Sequence, residues 1–165
     1  MLLWYAGVSV LIVFTVFRSV GVDYRLVAIG AIAPLILDIP FGRPAFFHTL
    51  VFSVVLLAGV MLGTIGRPRL VRRRWLCLPI GTFCALVLSG AWTNTAVLWW
   101  PTLGWTFPPG NLLPAWWVVL IEEIIGLVAC WWLIGLCDLY LPGPRREFFA
   151  TGRLHATTEA EGPEV

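Results

Sequence analysis

"LILDIPFGRPAFFHTL", residues 35–50, sets one carboxylate and one imidazole on either side of a tight bend in an apolar chain. Asp38 closes one apolar run, Pro40, Gly42 and Pro44 punctuate the loop, and His48 and Thr49 open the next run. Proline and glycine are turn residues, so the stretch reads as two apolar helices joined by a short loop. An Asp and a His facing each other across such a loop have two readings. They are part of a metal site, or they are a hydrogen-bonded pair that fixes the turn.

The composition around this bend sets the class. Of 165 residues, 59% are hydrophobic and 12% charged, and the mean hydropathy is +0.89. That leaves too little polar surface for a water-soluble domain of this size. The chain reads as an all-α, polytopic integral membrane bundle. Ten tryptophans agree, because indole favours the membrane–water boundary. The first residues, "MLLWYAGVSVLIVF", lack a basic leader and a small-residue cleavage site, so they read as a retained span.

Five apolar segments follow one another, at about residues 2–17, 26–39, 46–65, 75–91 and 114–140. A helix needs roughly 20 apolar residues to cross a hydrocarbon core of ~30 Å, and the second segment falls short of that. About five transmembrane helices are expected within residues 1–141, with residues 142–165 as a cytoplasmic tail that is partly disordered. The basic-aromatic part of this tail, "PGPRREFFATGRL", has the composition of a segment lying on the inner leaflet. His155 stands alone in the tail and has no assigned role.

Arginine placement orients the bundle. All eleven basic residues are arginine. Arg18 and Arg25 flank the first loop, Arg67, Arg69, Arg72, Arg73 and Arg74 crowd the third, and Arg145, Arg146 and Arg153 follow the last span. Only Arg43 falls on the other side. Ten against one puts the N-terminus outside and the C-terminus in the cytoplasm of a bacterial inner membrane. The "RPRLVRRR" run then reads as a topology anchor. A net charge of +2 does not suggest a nucleic-acid partner. The expected partners are membrane lipids and another membrane protein. Cys77 and Cys84, and Cys130 and Cys137, are spaced by seven and read as packed helix positions, not a disulfide framework.

Under this topology the polar residues converge on the outer half. Asp38, His48 and Thr49 lie at the second and third spans, Ser89, Trp92, Thr93 and Asn94 at the end of the fourth, and Glu122 and Glu123 about eight residues into the fifth. The loop between the fourth and fifth spans carries no charge and holds Trp92, Trp99, Trp100 and Trp105. Intramembrane carboxylates are costly and face a bundle interior or a wet cavity. Glu122 and Glu123 point about 100° apart. Glu122 aligns with Gly126 and Ala129, and Glu123 with Gly126 and Cys130, so spacing alone leaves open which faces inward.

"AIAPLILDIPFGRPAFFHTLVFSVVLLAGVML" and "PIGTFCALVLSGAWTNTAVLWWPTLGW" resemble the membrane-bound metal-dependent hydrolases, the YdjM-like inner-membrane proteins, in a form typical of actinobacteria. The likeness covers most of residues 20–135. In that family Pro-Asp-x-x-Asp precedes a loop and His-Ser/Thr; here Pro34, Asp38, His48 and Thr49 match, and Leu35 replaces the first Asp. The later His-x-x-x-Asp motif falls on Ala85 and Ser89, with Asn94 where relatives carry another Asp. The resemblance implies the helical fold and, in intact members, zinc or another divalent metal. Here Asp38 and His48 are the only candidate metal ligands it leaves.

Three functions follow from these readings. The favoured one is a non-catalytic accessory or scaffold protein of this fold, with no cofactor, because a catalytic zinc needs three protein ligands. The alternative is a metal-dependent hydrolase acting on a lipid or envelope phosphoester at the outer face. The third is a proton-relay or transport subunit using Glu122 or Glu123.

Overall fold

The computed structural model describes residues 1–17, 21–107 and 110–155. Arg18 and the acidic end of the tail, residues 156–165, therefore lie outside the described residues. The described residues are all-helical, with no strand among them. A π-helical turn, Trp4–Val8, runs into α1, Ser9–Phe17. Then come α2 (Tyr24–Asp38), α3 (Leu50–Gly63), α4 (Arg69–Leu88), the short α5 (Thr95–Leu98), α6 (Trp116–Leu136) and α7 (Pro142–Thr151).

The centre of the molecule is the crossing of α2 and α4. A Cβ at Gly30 would collide with the Leu78 carbonyl, and one at Gly81 with the Val27 carbonyl. Glycine at both positions lets the two backbones touch, the way close helix pairs pack when little other than dispersion holds them together. The start of the first helix meets α6 in the same manner: a Cβ at Gly126 would strike the backbone of Leu3 and Trp4.

Two apolar clusters fill the bundle. One joins Val13, Phe14, Tyr24, Val27, Cys77, Leu133 and Leu154, so the chain beyond α7 returns to pack against α1, α2 and α4. The other joins Met1, Tyr5, Ala31, Leu35 and Ala85 toward the Asp38 end.

Two helical stretches are long and apolar enough to cross a membrane: Tyr24–Phe41, α2 with its 3₁₀ extension, and Trp116–Leu136. The helices over Trp4–Phe17 and Leu50–Gly63 are apolar but shorter. The fourth expected segment begins earlier than its apolar run. Pro68 occupies the N-cap, and Arg69, Arg72, Arg73 and Arg74 lie in the first two turns of α4. Proline suits a helix start, where no N–H partner is needed. Of these two long stretches α6 is the less covered: 17% of its apolar window is buried, and Trp131 is 80% exposed. A soluble core helix of this composition would be covered on most sides.

Candidate functional site

The loop after α2 closes on the Asp38 carboxylate. His48 Nδ1 lies 2.6 Å from Asp38 Oδ2, which also accepts from the Ala45 N–H at 2.9 Å. Asp38 Oδ1 accepts from the Phe47 N–H at 3.4 Å. Asp38 is wholly buried and His48 is 4% exposed. An ionised carboxylate only accepts, so Nδ1 carries a proton toward Asp38. Thr49 has a local role. Its Oγ1 accepts from the Phe52 N–H at 3.1 Å, capping α3, and donates to the Phe46 carbonyl at 2.7 Å.

His48 forms part of the wall of a cavity of about 370 Å³ at this end of the bundle. Ser89, Thr93, Asn94, Asn111 and Glu122 share that wall. The chain after the Trp-rich loop closes one side, tied down by the Leu112 N–H donating to the Gly42 carbonyl at 3.1 Å. Arg43 donates to the Phe107 carbonyl at 3.4 Å. Trp100 stacks on Phe107 and meets Phe46 edge-on, so an aromatic cluster packs this loop onto the corner.

The two glutamates have different surroundings. Glu123 pairs with the Met1 ammonium and accepts from the Leu3 N–H at 3.1 Å. Glu122 faces the cavity, and its buried Oε2 has no hydrogen-bond partner. Ser89 donates to the Leu86 carbonyl at 3.1 Å at the end of α4. Trp92 is 63% exposed and donates from its indole to the Val87 carbonyl, away from the cavity wall. Thus His48, Ser89, Asn94 and Glu122 come together, Asp38 stands behind His48, and Thr49, Trp92 and Glu123 serve other contacts.

The ligand pattern that the resemblance implies is not complete at this corner. Both Asp38 oxygens are engaged by the loop. Leu35 and Ala85, where the resemblance puts a carboxylate and an imidazole, pack with Tyr5 and Ala31 in an apolar cluster. Among the described residues no group of three His, Cys, Asp or Glu side chains converges as metal ligands would.

A second polar centre, at the opposite end of α2, was not singled out from the sequence. Asp23 is 3% exposed and caps α2 through the Arg25 N–H. It pairs with the Arg25 side chain at 3.2 Å and with Arg74 at 2.7 Å. Arg25 also donates to the Phe149 carbonyl at 2.6 Å, and the Tyr24 N–H to the Gly152 carbonyl at 2.9 Å. One aspartate therefore joins the starts of α2 and α4 to the end of α7. Its sequence signal was an Asp directly before an apolar helix, the N-cap pattern.

Comparison with protein-family models, with curated proteins and with solved structures found no match.

Proposed function

We propose that the chain is a five-span protein of the bacterial cytoplasmic membrane, with its N-terminus outside and C-terminus inside. It serves as a non-catalytic accessory or scaffold of YdjM-like type. The observation that carries this reading is the packing of Leu35 and Ala85 into the apolar cluster beside the Asp38–His48 pair. Positions that would hold ligands are built into the core, and the surviving pair is tied to its own loop. Neither leucine nor alanine can replace a carboxylate or imidazole at zinc.

The membrane reading is supported by α6, which is long, apolar and mostly uncovered. The sidedness is supported by Asp23, which gathers Arg25, Arg74 and the segment after α6 at one end of the bundle. The shorter apolar helices can span by local thinning of the bilayer. The uncovered face of α6, with Trp131 and Trp132, suits lipid or another membrane protein.

The hydrolase reading keeps one favourable observation: His48 and Glu122 share a cavity wall. Metal content of the purified chain, measured together with phosphoesterase activity, separates the two. The proposal expects neither stoichiometric metal nor metal-dependent hydrolysis.

A further inference from the structure

The polar cavity does not stand alone. Against it lies an apolar cleft of about 650 Å³, walled by Leu35, Ile36, Ile39 and Leu113 among others. Met1, Asn111 and Leu112 belong to the walls of both spaces. A polar chamber and an apolar groove on the two sides of one wall offer the two surfaces that one amphiphile needs.

The chamber's chemistry narrows the choice. Glu122 Oε2 is a buried acceptor with no partner. His48 stands on the same wall, 4% exposed, with its Nδ1 held by Asp38. Asn94 and Asn111 add amide oxygens. No Lys or Arg is among the described residues of that wall, and the Met1 ammonium is paired with Glu123. A buried carboxylate needs a donor and a counter-charge. An ammonium supplies both, with three donors and no acceptor. The Met1 ammonium on that wall is outnumbered by Glu122 and Glu123, so an anionic headgroup would meet a net negative charge.

We propose that cavity and cleft together bind one membrane lipid with a protonated primary amine in its headgroup. The ammonium faces Glu122 and His48, and an acyl chain follows the cleft past Leu35 and Ile39. The inference rests on the membrane part of the proposed function and is independent of the fate of the metal ligands.

The test is native mass spectrometry of the full chain in detergent, titrated with dioleoyl phosphatidylethanolamine, phosphatidylglycerol and a diglucosyl diacylglycerol. The expected result is at least tenfold tighter binding of phosphatidylethanolamine than of either other lipid. Glu122→Gln should remove that preference. Ile39→Trp, which fills the cleft without touching the chamber, should weaken all three lipids. Equal binding of the three, a preference for the glycolipid, or an unchanged preference in Glu122→Gln overturns the proposal. Alkaline carbonate extraction of native membranes is run alongside. Release of the chain would defeat the membrane reading and this inference together, whereas retention with no amine preference defeats the inference alone.

Discussion

Asp38 and His48 are ten residues apart in the chain, and their polar atoms are 2.6 Å apart inside the protein. The loop between them turns back through Gly42, which adopts φ 63°, and delivers the Ala45 N–H to the same carboxylate. The carboxylate thus organises the loop as much as it holds the imidazole. Replacing His48 by Ala should leave Asp38 short of one donor, at about 1–3 kcal/mol. In detergent this is a lowered midpoint of thermal unfolding, of the same size with and without a chelator.

The Gly30–Gly81 crossing makes a sharper structural prediction. Gly30→Ala or Gly81→Ala would place a methyl group onto a helix backbone that cannot swing aside. Overpacking of this kind costs about 1–3 kcal/mol. Gly59→Ala, with open space around its Cβ position, should be neutral or slightly stabilising through better helix propensity. Thermal midpoints of the three variants, measured side by side, check the contrast. Equal loss in all three would contradict the packing described.

Asp23 predicts how the C-terminal segment behaves. Asn can still cap α2 through its amide oxygen, while Asp23→Asn removes the charge and leaves Arg74 Nε and Arg25 Nη2 without their acceptor. Arg74 is 54% exposed but Asp23 is 3% exposed, and hydrogen bonds to such a charged group are worth about 1.5–3 kcal/mol. The fold should survive while α7 loosens. Trypsin cutting after Arg145, Arg146 and Arg153 should be faster in the variant, with cleavage seen in inside-out vesicles and not in intact cells. Unchanged digestion in the variant would contradict the clamp.

Sidedness is checked directly by cysteine labelling in a cysteine-free background. A cysteine at Gly104, in the Trp-rich loop, should react with an impermeant maleimide in intact cells. One at Gly66, before the arginine run, should react only after the membrane is opened. The reverse pattern would overturn the topology.

The corner was legible because its information is local. Asp38 and His48 sit within one loop bounded by Pro40 and Pro44, and the short connection brings them together. That Ser89, Asn94 and Glu122 fall at one end of the bundle follows from counting residues along successive apolar segments. Which glutamate faces the cavity was not, because adjacent helix positions differ only in rotation, and rotation is fixed by the partner helix. Glu123 is placed by the Leu3 and Met1 backbone, some 120 residues distant in sequence. Gly30 and Gly81 carry no sign of their close approach until both helices are in place. Trp92 shares the depth of the cavity but turns outward to its own helix end, a choice of rotamer that depth does not determine.

The most direct measurement is the zinc content of the purified chain, wild type against Asp38→Ala and His48→Ala, by inductively coupled plasma mass spectrometry. If Asp38 and His48 are a corner-fixing pair, zinc is well below one per chain in the wild type and unchanged in both variants, while both variants unfold at lower temperature. One zinc per wild-type chain, lost in each variant, would contradict the account and restore the hydrolase reading, with Glu122 as the missing ligand.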